Sequence, residues 1–91
     1  MAFYDVVAGM GYKVSNTEEV IDISKEDDYA LHKPLVEIHI VFYKKDKEII
    51  GFLKPLRDMF DQDDMSHMYK AFLDMQKDLK TLSEMSKYKI I

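Results

Sequence analysis

The clearest pattern along the chain runs from Leu35 to Tyr43. Val36, Ile38, Ile40 and Phe42 fall on one face of an extended segment, and Leu35, Glu37, His39, Val41 and Tyr43 on the other. Alternation with period two and a high β-branched content is what a half-buried strand requires. Pro34 precedes it, where a missing N–H does least harm. Lys44-Lys45-Asp46-Lys47 is polar and long enough for a hairpin loop, and Glu48 to Leu53 returns as a second strand. Pairing Tyr43 with Glu48 sets Phe42 against Ile49, Ile40 against Gly51 and Ile38 against Leu53, a uniformly apolar face. The opposite face gathers Val41, Tyr43, Ile50 and Phe52 around Glu37, His39 and Glu48. An antiparallel sheet with one wet side carries more polarity than that. The second face is therefore expected to be covered by another layer of the chain or by a partner.

The pattern turns helical in the second half. Pro55 suits a first helical position, and Leu56, Met59 and Phe60 predict a short amphipathic helix. The phase breaks across Asp61-Gln62-Asp63-Asp64, where Asp63 or Asp64 can cap the next helix. That helix is predicted from about Met65 to about Met85. Met65, Met68, Phe72, Met75, Leu79 and Leu82 follow a 3-4-3-4-3 spacing, a heptad seam that Tyr69 widens. Such a seam is either the core face of a helix lying on the sheet or an association surface. Fewer than three heptads are present, too few for a coiled coil of its own.

Residues 1–34 are less legible. Ala2 to Ala8 reads as a strand or a helical turn. Tyr12 to Val14 and Glu19 to Ser24 read as short strands joined by Ser15-Asn16-Thr17, although Ser15-x-x-Glu18 also matches a helix capping box. Lys25 to Lys33 reads as a loop or a single turn. The resulting expectation is an α+β fold: an antiparallel sheet of three or four strands, then a short helix and a long C-terminal amphipathic helix packed on the sheet. Residues 1–91 form one small domain, β-leaning over 1–54, helical over 55–86, with a short tail at 87–91.

Composition narrows the function classes. The chain has no cysteine, which excludes disulfides, thiolate metal sites and a cysteine nucleophile. No apolar run reaches the ~18–20 residues of a membrane helix. The first positive charge is Lys13, so the N-terminal stretch does not read as a secretory signal. A cytoplasmic protein without membrane association is expected. The net charge of −4 works against general affinity for nucleic acid, and Arg57 is the one arginine among 13 basic residues.

Candidate chemistry is sparse. Asp58, Asp61, Asp63 and Asp64 form an acidic surface, with His67 one helical turn after Asp63. The spacing fits neither a calcium loop nor a zinc site, so helix capping explains it and no metal or other cofactor is expected. His32, His39 and His67 share no motif. Ser15, Ser24, Ser66, Ser83 and Ser86 have no nucleophile-elbow setting, so no catalytic residue is assigned. Gly9-Met10-Gly11 lacks the rest of a phosphate-binding fingerprint and reads as a turn or bulge. Lys44, Lys45 and Lys47 beside Tyr43 are the nucleic-acid candidate, a basic hairpin with an aromatic. The leading expectation is a non-enzymatic protein-interaction module, a homodimer that binds another protein. Its interaction surface is Val41, Tyr43, Ile50 and Phe52 on the sheet with Met65, Met68, Tyr69, Phe72 and Met75 on the helix.

Overall fold

The computed structural model describes residues 2–28 and 34–91; His32 and most of the segment expected to be a loop before Pro34 lie outside them. Two helices and five strands follow in the order α1 (Phe3–Gly9), β1 (Lys13–Asn16), β2 (Val20–Glu26), β3 (Val36–Tyr43), β4 (Glu48–Pro55), α2 (Gln62–Ser86) and β5 (Lys89–Ile90). The fold is α+β: the strands form one sheet in sequence order, β1 to β4 antiparallel and β5 parallel to β4. The sheet thus has five strands where three or four were expected. The extra strand comes from the tail, where Lys87 takes a left-handed conformation (φ 63°) that ends α2 and turns the chain back along β4.

The central hairpin has the expected register: Tyr43 opposite Glu48, Phe42 opposite Ile49, Ile40 opposite Gly51 and Ile38 opposite Leu53. Lys47 closes the turn with φ 56°. Both helices lie on the apolar face of this hairpin. Phe3 of α1 meets Phe42 edge-on at 5.2 Å. Gly51 lets α2 approach closely: a Cβ added there would stand 3.2 Å from Met75 Cγ and Sδ. Val7, Ile23, Ile38, Ile40, Phe42, Ile49, Met75 and Leu82 are all fully buried between the layers.

α1 resolves the ambiguity over Ala2–Ala8 as a helix, because Phe3, Val7 and Met10 recur at helical spacing and all touch the core. Its end explains Gly11. Tyr12 N–H donates to Val7 O and Gly11 N–H to Ala8 O, a Schellman ending in which Gly11 takes φ 89°. Ser15 caps no helix; it lies within β1.

Three details of the second half differ from expectation. There is no short helix at Leu56–Phe60. Pro55 ends β4 opposite Val36, and Leu56 N–H donates to Leu35 O. Because Lys47 and Ile49 turn their carbonyls outward to β5, Pro55 also faces outward, where its lost N–H breaks no pair with β3. The cap of α2 is Asp61, neither Asp63 nor Asp64. Asp61 accepts from Asp64 N–H at 2.8 Å while the Asp64 carboxylate accepts from Asp61 N–H at 3.2 Å, a reciprocal box that starts the helix earlier than expected. The buried stripe of α2 is Ala71, Met75, Leu79 and Leu82, while Met65 and Phe72 remain 54% and 42% exposed. The heptad seam is therefore fully buried only from Met75 onward, with Met68 packed partly against the core.

Polar groups brace the sheet and the helix packed on it. The buried carboxylate of Asp27 accepts from Leu35 N–H at 2.8 Å and Val36 N–H at 2.9 Å, joining the ends of β2 and β3. Beneath α2, Tyr12 Oη donates to Asp78 Oδ2 at 2.8 Å, and Lys25 Nζ reaches the same oxygen at 3.5 Å and lies 4.7 Å over the Tyr12 ring. Burial of the Tyr12 hydroxyl, with its bond to the Asp78 carboxylate, holds its pKa well above the ordinary value. The unfolded chain releases this proton near pH ~10 and the folded chain retains it. Stability is thus full below pH ~10 and falls as pH rises past it, at up to about 1.4 kcal/mol per unit from this group. Tyr12→Phe should remove that component; comparing urea midpoints of the two proteins at pH 9 and pH 11 checks it.

Candidate interaction surface

The sheet face opposite the helices carries most of the residues singled out in the sequence. Register places Asp22 and Ser24 of β2, Glu37, His39, Val41 and Tyr43 of β3, and Glu48, Ile50 and Phe52 of β4 on it. Among the described residues neither helix lies on this face. Phe52 is 42% and Tyr43 39% exposed, with Ile50 partly exposed and Val41 shielded to 9% by its neighbours.

His39 stands at the centre. Its Nδ1 lies 3.0 Å from Asp22 Oδ1 and its Nε2 2.5 Å from Glu37 Oε1. Its ring stacks on Phe52, centroids 5.0 Å apart and planes within 4°. Ionised carboxylates only accept, so this arrangement is fully hydrogen-bonded when both ring nitrogens carry protons. Neither nitrogen points at a nucleophile. The two carboxylates flank the ring on separate sides and do not converge on one point. Among the described residues, no group of three His, Asp or Glu side chains is arranged to hold a metal ion. The cluster joins β2 to β3 and fixes the plane on which Phe52 rests. The sequence placed Glu37 beside His39 but gave no sign of Asp22, whose approach depends on the β2–β3 register.

The helix residues divide. Met75 is in the core, 1% exposed, and so is no part of an outer surface; Met68 is partly buried. Met65, Tyr69, Phe72 and Leu73 are exposed along the N-terminal half of α2. Tyr69 follows Met65 by four residues, and Phe72 and Leu73 follow Tyr69 by three and four, so these four form an apolar flank on one side of the helix.

The acidic surface also divides. Asp61 and Asp64 serve the helix start, and Asp64 Oδ2 pairs with Arg57 Nη2 at 2.8 Å. Asp58 and Asp63 are exposed, and His67 Nε2 lies 3.7 Å from Asp63 Oδ2, the i, i+4 relation expected from the spacing. At the hairpin tip, Lys44 Nζ donates to Asn16 Oδ1 at 2.6 Å and to the Thr17 carbonyl, and Lys47 Nζ sits 5.2 Å over the Tyr88 ring. Two of the three lysines are thereby fastened to their own chain, and Lys45 extends into solvent.

Among the described residues, no helix is long and apolar enough to cross a membrane. No protein-family model matches this sequence, and no curated protein and no solved structure matches it either.

Proposed function

We propose that this protein is a small non-enzymatic protein-interaction module, a regulator, inhibitor or assembly accessory of the cytoplasm, that works as a homodimer joined through the uncovered face of its sheet. One observation carries the reading: Phe52 and Tyr43 stand exposed beside Ile50 and Val41 on a sheet face that no described element covers. Folded monomers seldom leave a contiguous apolar patch of this kind open.

A second copy is the occupant that fits. β3 and β4 have eight residues, β2 seven and β1 four, so the face spans at most roughly 20 by 26 Å, about 500 Å² in projection, which suits a contact at the small end of the interface range. The fixed aromatic on β4, Phe52 held flat on His39, is the kind of preorganised anchor that dominates interface energy. The exposed flank of α2, with Asp58 and Asp63 at its start, is then left for a second protein, the acids steering it toward a basic partner.

Phe52→Asp tests the reading. The side chain is outside the core, so the chain should keep its far-ultraviolet circular dichroism and its two-state unfolding. Two carboxylates brought face to face across the interface should weaken association at least ~100-fold, as unpaired charges buried between partners do. Sedimentation equilibrium of wild type and variant measures this. An unchanged association constant in a folded variant would exclude the sheet face as the contact.

A further inference from the structure

We propose that the cleft between α1, the sheet and the C-terminal end of α2 binds a small, neutral, planar aromatic molecule. The cleft has a volume of about 390 Å³, within the range of small-ligand sites. Phe3 and Tyr4 of α1, Ile21 of β2, Phe42 of β3, Met85 and Ser86 at the end of α2, and Tyr88 just beyond it line the cleft. Phe42 is buried and forms the floor, while Tyr4 and Met85, 46% and 42% exposed, stand at the mouth.

The lining chooses the ligand in two ways. The first is shape. The rings of Phe3 and Tyr88 stand at 86° and 81° to that of Phe42, with centroids 5.2 and 5.3 Å from it. A flat ring entering this cup meets faces and edges at the separations aromatic pairs favour, and the Met85 thioether adds a sulfur–ring contact. The second is charge. Among the described residues, no carboxylate, ammonium, guanidinium or imidazole group lines the cleft. Two of the lining hydroxyls already have partners: Tyr4 Oη accepts from Asn16 Nδ2 at 2.7 Å, and Ser86 Oγ donates to the Leu82 carbonyl. A charged ligand would lose its hydration with nothing to replace it, whereas a neutral ring loses nothing of the kind. The cleft beside Lys25 differs in this respect, being lined by Lys13, Lys25, Glu26, Asp28 and Glu37. The aromatic cleft lies on the helix side of the sheet, so it stands apart from the proposed dimer face and does not depend on it.

The test is a nuclear magnetic resonance titration of the full chain, labelled at methionine and isoleucine methyl groups, with indole as the neutral probe and indole-3-acetate as the charged one. Indole should shift the Met85 and Ile21 methyl signals saturably, with a Kd on the order of 0.1–1 mM as ligand-efficiency bounds allow for its size. Indole-3-acetate should bind at least tenfold more weakly. Ile21→Phe, which fills the floor, should reduce indole affinity at least tenfold. Should that variant not fold, Met85→Glu, at the exposed mouth, should produce a loss in the same direction. No saturable shift up to the solubility of indole would overturn the proposal. So would equal affinity for the anion, shifts centred on Phe52 and Tyr43, or unchanged binding in a folded cleft variant.

Discussion

Asp27→Ala should lower the unfolding free energy by about 3 kcal/mol. The Asp27 carboxylate is 5% exposed and accepts both Leu35 N–H and Val36 N–H, whose residues are 1% and 0% exposed. Hydrogen bonds to a charged group are worth roughly 1.5–3 kcal/mol each, and the two donors would be left buried where water cannot replace their acceptor. Their loss also loosens the return of β3 onto β2, since Asp27 N–H donates to Val36 O at the same point. For a domain of this size the change corresponds to a fall in Tm of roughly 12–24 °C. Asp27→Asn keeps an acceptor and should lose only about 1 kcal/mol. Urea unfolding at pH 7 separates the two; an alanine variant within 1 kcal/mol of wild type would show that the carboxylate does not hold this junction.

The second large effect contrasts two neighbours on α2. Met75→Ala should lose about 3 kcal/mol, because Met75 fills the space above Gly51 and truncation leaves a cavity between helix and sheet. Phe72→Ala should lose less than about 1 kcal/mol, because Phe72 is 42% exposed on the flank. Both residues belong to the same heptad seam in the sequence, so hydrophobicity alone ranks Phe72 at least equal. Denaturant midpoints at dilutions that favour the monomer measure the difference. Equal losses would mean that α2 is rotated from the orientation described.

Those two residues also show where sequence pattern stops being informative. A heptad seam describes a narrow contact between helices, whereas a helix lying on a sheet buries a broader stripe with period 3.6. Ala71 belongs to that stripe but carries little hydrophobic signal. Asp78 sits beside it and reads as solvent-facing until Tyr12 and Lys25 are brought to meet it. The register of the β3–β4 hairpin was legible to the residue because long alternation and a polar tip determine register locally. The Asp22–His39 contact was not, because it needs the pairing of β2 with β3 across an uninformative segment. β5 escaped notice because two residues cannot display a period. Pro55 misled because it suits the outward-facing end of an edge strand as well as the start of a helix. The apolar surplus on the second sheet face was legible, and the placing of α1 and α2 on the other side is what leaves it open.

We propose that two copies meet through that face. Absolute mass by light scattering behind a sizing column tests it most directly. A dimer gives twice the 10.7 kDa of one chain at micromolar concentration, shifting toward the single-chain mass on dilution. A mass of one chain at every concentration up to the millimolar range would contradict it.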